Sequence, residues 1–347
     1  MGRRLEAKNC QQQLQNIHDV EILGSGVYLP RMRVDSVSLM DEIKSEKNYG
    51  IPASWLSETV GIIERRYVSG DDKPSSMAVK AAEPALSAAG LDVVDQVIYC
   101  GIDRDQPEPA TAHTVNDILD LKASYAFDVS NACLGFVSAM QLALQSIRLG
   151  SIETALIVTG EQPSVFVQDY IEILASGIEK TEARKLLGFL TVGDAAGAII
   201  LGRAEFGCGF KDFFVETNSQ HRKLCYWRRD SDGTLSGQMK MGHLTYHGKK
   251  MANQLTKRIK ESPTWQEPDL MLSHNTGRGA FDAHIDLGLA PREKWFKSYD
   301  FLGNITTATF PVNYHIALSK SPLKPGELMA GMFNGSGLSF CYFDYVF

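Results

Sequence analysis

The sequence predicts an α/β protein made of two similar halves. Two observations carry that prediction. Short apolar runs of strand type alternate with longer helix-type runs along the chain, which is the pattern of layered α/β folds. The plan also repeats: Asp269-Leu-Met-Leu-Ser-His-Asn275 echoes Asp95-Gln-Val-Ile-Tyr-Cys-Gly101, each an apolar strand ending in polar residues. With 347 residues, two such halves can share one core. We set the halves at 1–201 and 202–347.

In order, residues 20–28 read as a strand. Residues 77–89 form an Ala-rich helix stopped by Gly90, with a kink expected at Pro84. A short apolar strand follows at 97–100 and a helix at 112–121. A strand at 125–129 gives way to a helix at 134–147. Residues 155–158 are a buried-type strand, and 191–201 a Gly turn running into another. In the second half, 251–259 is amphipathic and helical, 269–275 is a strand, 306–318 is helical, and 328–333 is a strand reaching Gly335-Ser-Gly337. Segments 165–184 and 202–250 break the rhythm and read as excursions that shape a pocket or an interface.

Composition narrows the function. An apolar fraction of 44% and a charged fraction of 22% suit a soluble enzyme. A net charge of −6 gives no reason to expect nucleic acid or an anionic membrane as partner. No apolar run approaches the roughly 20 residues of a membrane span. The N-terminus is charged and lacks a signal-peptide core, and Glu6 stands where a myristoylation motif wants Ser or Thr. A cytoplasmic location follows as the expectation. Six cysteines without CxxC pairs argue against zinc and against a disulfide framework. His243 and His247 have i,i+4 spacing, but Gly242 and Gly248 speak against a helix there and no carboxylate completes a set, so no metal is expected.

The chemistry gathers at four places. Cys133 lies in Asp128-Val-Ser-Asn-Ala-Cys-Leu-Gly-Phe136, at a strand-to-helix junction. A helix N-terminus favours thiolate over thiol, and thiolate is the nucleophile. His274 ends the strand at 269–275, at the edge where open α/β folds gather ligands. Asn304 starts a helix in Phe301-Leu-Gly-Asn-Ile-Thr-Thr-Ala-Thr-Phe-Pro311. Asn334-Gly-Ser-Gly-Leu338 offers backbone N–H groups able to face an oxyanion. Taken singly, these are a small buried Cys, a core His, a helix-capping Asn and a Gly turn.

Together and in order they resemble the thiolase superfamily, in particular the ketoacyl synthase III branch. The resemblance also takes in Gly193-Asp-Ala-Ala-Gly-Ala198 and runs from about Val20 to Phe347. Within that branch, Glu108-Pro-Ala-Thr-Ala112, Lys223-Leu-Cys225 and Arg278 are similar to the enzymes that condense two fatty acyl-CoAs head to head in olefin synthesis. The resemblance implies the five-layered αβαβα thiolase fold and a homodimer. It implies that Cys133 carries an acyl group, with the oxyanion held by the N–H groups of Cys133 and Ser336. His274 and Asn304 would hydrogen-bond a second thioester's carbonyl. Glu108, reaching from a partner subunit, would take the α-proton; the plainer reading is that Glu108 caps the helix after Pro109. Trp55 matches a CoA-stacking Trp, while Thr59 and Gly279 replace two arginines, and Arg278 is placed to compensate.

The implied reaction is a Claisen condensation of an enzyme-bound acyl group with a second acyl-CoA or acyl-carrier-protein thioester, with no other cofactor. The alternatives are acyl transfer to an oxygen or nitrogen nucleophile, and a subunit of a heterodimeric synthase.

Overall fold

The computed structural model describes residues 20–204 and 208–347. The expectations placed on the first ten residues lie outside that range. Thirteen strands are arranged in two main sheets and two small ones. In chain order they are β1 (Val20–Tyr28), β2 (Met32–Asp35), β3 (Glu64–Tyr67), β4 (Gln96–Tyr99), β5 (Tyr125–Asp128), β6 (Thr154–Glu161) and β7 (Ala195–Arg203). There follow β8 (Gly209–Thr217), β9 (Cys225–Arg229), β10 (Leu235–Met239), β11 (Leu270–Ser273), β12 (Leu328–Gly335) and β13 (Ser339–Val346). The first sheet has the order β1-β7-β6-β4-β5 and the second β11-β12-β13-β8. β4 is parallel to both β5 and β6, and β11 is parallel to β12. Strands β2–β3 and β9–β10 form separate hairpin-like pairs.

The helices Gly135–Arg148 and Thr309–Lys320 lie between the two sheets. Phe136, Met140 and Leu144 from the first and Phe310 and Tyr314 from the second join Ile157, Ile199, Leu272, Phe333 and Phe343 in one buried core. Helix Pro74–Ala89 covers the outer face of the first sheet, and Met241–Lys260 with Arg278–Ile285 covers the outer face of the second. The layers are therefore α, β, α, β, α, which is the thiolase architecture. Because both faces of each sheet are covered, β7 reads as a continuous apolar run rather than an alternating one.

Local chemistry explains the outer helix. Pro74 occupies its first position, where a missing N–H costs nothing, and Gly90 closes it in the left-handed conformation at φ 65°. Its Ala78, Ala81, Ala82 and Ala85 are buried and bring the helix close to β1. A Cβ on Gly26 would sit 2.2 Å from the Ala81 carbonyl oxygen, so only glycine fits there. The helix continues past Pro84 to Ala89.

Two segments depart from expectation. Residues 165–184 are not an excursion. They supply the helices Ser164–Ala175 and Lys180–Leu186, whose Phe166, Tyr170, Ile171 and Leu174 fill a buried cluster with Phe189 and Leu190. Segment 202–250 contains β8, a full member of the second sheet, along with the β9–β10 pair and the start of a 20-residue helix. That helix includes Gly242 and Gly248, so His243 and His247 do lie on a helix; the His247 ring packs against His221 at 3.9 Å.

Candidate active site

One cavity of about 300 Å³ is lined by Cys133, His274, Asn304 and Ser336 together. The fold brings them there from four chain segments. β5 ends at Asp128, whose carboxylate accepts the Thr111 and Ala112 N–H groups at 3.0 and 2.9 Å and pairs with Arg104 at 3.2 Å. The chain then turns through Ala132, held at φ 45°, into a short 3-10 turn and the central helix. A non-glycine residue in that region is strained, and such strain clusters where a side chain must be aimed. Here the side chain is Cys133. The oxyanion loop comes equally close: a Cβ on Gly335 would stand 3.0 Å from the Leu134 backbone nitrogen.

His274 follows β11, and its N–H donates to the Met332 carbonyl at 3.2 Å. Behind it, Asn275 donates to the Ser273 carbonyl at 2.8 Å and accepts the Ser298 N–H at 3.0 Å, which fixes the end of the strand. The ring nitrogen Nδ1 lies 3.2 Å from the Thr309 hydroxyl. That hydroxyl donates its one hydrogen to the Thr306 carbonyl at 2.8 Å, so it accepts from His274. The resting ring therefore carries its proton on Nδ1 and presents a bare Nε2. Burial pushes His274 down to about 3, so the imidazole is neutral at ordinary pH. The role of a second carbonyl donor, expected from resemblance, takes the tautomer with its proton on Nε2.

Asn304 is strapped in by its backbone, donating to Thr191 O at 2.9 Å and accepting from Gly193 N–H at 3.0 Å. Its Oδ1 accepts the Thr306 N–H at 3.0 Å. The amide is thereby oriented, and its NH₂ group is the one left free to donate.

Burial pushes the Cys133 thiol well up, and Cys225 and Glu161 add to the rise. Burial thus opposes the thiolate that a helix N-terminus favours. His274 lines the same cavity.

The remaining sequence candidates fall outside the cavity lining. Glu108 is exposed on the loop between β4 and the helix Thr111–Ile118. It is not the cap of that helix; Asp128 is. Trp55 is half-buried against the cluster of Leu56 and Phe189. Arg278 is exposed at the rim between the lining residues Gly277 and Gly279, and donates to the Glu58 carbonyl at 2.7 Å.

Four further residues line the cavity. Cys225 of β9 faces Ser336, whose hydroxyl bonds its thiol. Met239 and Met241 form apolar wall. His284, buried and stacked against Trp295, is pushed down to about 4 by burial and leaves Nδ1 without a partner.

The fold is that of thiolases and the constellation resembles that of thioester-condensing enzymes, and comparison with known proteins agrees. Residues 127–219 match the 3-oxoacyl-[acyl-carrier-protein] synthase III family. The chain is 28% identical over 317 residues to the acyl-CoA:acyl-CoA alkyltransferase of Shewanella oneidensis, covering 84% of this chain and 88% of that one. It is 26% identical over 340 residues to the β-ketoacyl-[acyl-carrier-protein] synthase III of Clostridium perfringens, covering 93% and 98%. A crystal structure of Xanthomonas campestris OleA superposes with a TM-score of 0.88 at 26% identity, covering 95% of this chain and 98% of that one. Solved variants of OleA alter a histidine, a glutamate and a cysteine, the last with lauric acid and lauroyl-CoA bound.

Proposed function

We propose that this chain is an acyltransferase in which Cys133 takes an acyl group from a thioester and the enzyme condenses it with a second acyl thioester to a β-ketoacyl product. The observation that carries this reading is the convergence of Cys133, His274, Asn304 and Ser336 on one cavity. In the first half-reaction, Nε2 of His274 takes the thiol proton as sulfur attacks the thioester carbon. The tetrahedral oxyanion is met by the backbone N–H groups of Cys133 and Ser336. His274 then returns the proton to the leaving thiolate, which departs as the free thiol. In the second half-reaction the Asn304 NH₂ donates to the incoming thioester's carbonyl oxygen, where enolate charge develops. The carbanion attacks the acyl-Cys133 carbonyl, the C–C bond forms, and the cysteine sulfur leaves.

The α-proton needs a base. Glu108 suits that task only in trans, because it is exposed and absent from its own cavity. A homodimer would supply it. β5 is an edge strand with Tyr125 55% exposed, and Ile118 beside it is 55% exposed, so this face of the first sheet offers apolar surface and unpaired backbone for a second copy. Arg278 at the rim and Trp55 would meet the CoA or carrier arm. No described helix is long and apolar enough to cross a membrane, and a cytoplasmic enzyme acting on acyl-CoA or acyl-carrier-protein fits this chemistry, which needs only the chain's own groups and its thioester substrates.

Product analysis decides the reaction. Incubation with decanoyl-CoA is expected to release CoA and give a β-ketoacyl-CoA, which on hydrolysis by water yields the β-keto acid and, with loss of CO₂, the ketone. Formation of esters or amides with added alcohols or amines, with no β-keto product, would favour the alternative acyl transfer.

A further inference from the structure

The segment that holds Asn304 is itself held by β3. Asn304 forms an isolated parallel bridge with Val192, in which its N–H donates to the Thr191 carbonyl at 2.9 Å and its carbonyl accepts the Gly193 N–H at 3.0 Å. Thr191 also lines the cavity, so residues 190–194 act as a strap along one side of the site.

Two successive residues of β3 fix the two ends of that strap. At the far end the Asp194 N–H donates to the Arg66 carbonyl at 2.8 Å. The Asp194 carboxylate secures this end further, accepting the N–H groups of Val68 at 2.7 Å and Ser164 at 2.9 Å. At the near end Nη2 of Arg65 donates to the Leu190 carbonyl at 3.0 Å, one residue before the carbonyl that receives Asn304.

Arg65 is fully buried, while Glu64 and Arg66 on either side of it are only half-buried. A buried guanidinium is costly, and an apolar side chain of similar volume would fill the space at less cost. Its donors are spent on two carbonyls, that of Leu190 and, at 3.4 Å, that of Val34 in the paired strand β2. Among the described residues its Nε finds no partner. What Arg65 adds over an apolar residue is therefore its charge-assisted hold on the strap.

Its stem bears on the bridge from below. A Cβ on Gly193 would stand 3.0 Å from the Arg65 Cβ and 2.4 Å from the Leu302 carbonyl oxygen. One on Gly303, whose φ is 68°, would stand 3.2 Å from the Arg65 Cβ and 2.6 Å from the Thr191 carbonyl oxygen. Gly193 follows Val192 and Gly303 precedes Asn304, so both sides of the bridge close onto one side chain.

We propose that Arg65 is a positioning residue for Asn304: its guanidinium fixes Leu190, and through the strap it sets where the Asn304 amide meets the second thioester. The proposal rests on the acyl-transfer reading above, in which Asn304 serves condensation. The oxyanion groups of Cys133 and Ser336 come from other segments, so acylation does not depend on the strap in the same way.

The test follows both half-reactions in single turnover with decanoyl-CoA, acylation by intact mass and condensation by rapid-quench analysis of β-keto product. Arg65→Met keeps an apolar stem and loses the donors. It is expected to acylate within about threefold of wild type and to condense about tenfold or more slower. In an Asn304→Ala background the same change should cost condensation little more, because both act through one amide. Should Arg65→Met not fold, Arg65→Gln, whose shorter amide falls back from the Leu190 carbonyl, takes its place with the same expectations. Losses shared equally by the two half-reactions, condensation at full rate, or a loss that adds fully to that of Asn304→Ala overturns the proposal. A wild-type enzyme that forms no adduct or no β-keto product instead overturns the acyl-transfer reading.

Discussion

The two helices between the sheets are entered in the same way and used differently. Gly135–Arg148 follows a 3-10 turn at Ala132–Leu134 whose first residue sits at φ 45°; Thr309–Lys320 follows one at Thr306–Ala308 whose first residue sits at φ 49°. The second residue is Cys133 in one turn and Thr307 in the other. Cys133 faces the cavity, whereas Thr307 faces the first turn and holds its Ala132 carbonyl. Local geometry is thus repeated between the halves, and chemistry is assigned by one side chain and what it meets. One entry carries the nucleophile; the other braces it, and also places Asn304 and Thr309 to serve the substrate and the histidine.

If the second entry serves the first, the two halves should fail in distinguishable steps. The largest effect expected is from His274→Ala, which removes the proton acceptor and should slow acylation by about 10² to 10⁴-fold. Asn304→Ala should leave acylation largely intact and lower condensation instead, by about 10²-fold. Rapid-quench intact mass separates the two steps; equal losses in both variants would merge the roles assigned here.

Thr307→Val tests the brace directly. It orphans the Ala132 carbonyl, a cost of about 1–3 kcal/mol. Acylation should slow about tenfold or more, with Thr307→Ser restoring most of it. A full-rate Thr307→Val enzyme would show that the first turn stands unaided.

The buried histidines give a pH signature. His274 and His284 are held down to about 3 and 4 by burial, so each contributes stability that is present above the ordinary histidine value and lost as pH falls toward those values. Between pH 6.5 and 5 the loss reaches about 2 kcal/mol for each. The buried acids Glu161 and Asp194, raised by burial, titrate with the opposite sign, so the comparison must be made against a variant. Calorimetric melting of His284→Phe should show a smaller fall in Tm, or a larger rise, than wild type on going from pH 7 to 5.

The smallest effect belongs to the rim. Arg278→Ala should raise KM for an acyl-CoA a few-fold with kcat nearly unchanged, because Arg278 is exposed and already shares its guanidinium with the Glu58 carbonyl.

Much of this was legible in the chain. Cys133, His274 and Asn304 are polar residues placed where apolar runs end or helices begin, and that placement is what strand-end chemistry looks like in sequence. The cavity wall was less legible, because Cys225 and Met239 come from a small hairpin whose packing against Ser336 depends on the assembled second sheet. Residues 165–184 were misread because acidic side chains interrupt the run, although Phe166, Val167, Tyr170, Ile171 and Leu174 keep helical spacing and are buried. Strand β13 went unassigned, as its aromatic residues lack alternation once both faces are covered.

The central claim is that Cys133 holds the acyl group, and intact mass after mixing with decanoyl-CoA addresses it most directly. The account predicts a single decanoyl adduct on wild type, its absence from Cys133→Ala, and its disappearance as β-keto product forms. An adduct that persists in Cys133→Ala, or β-keto product formed by that variant, would contradict it.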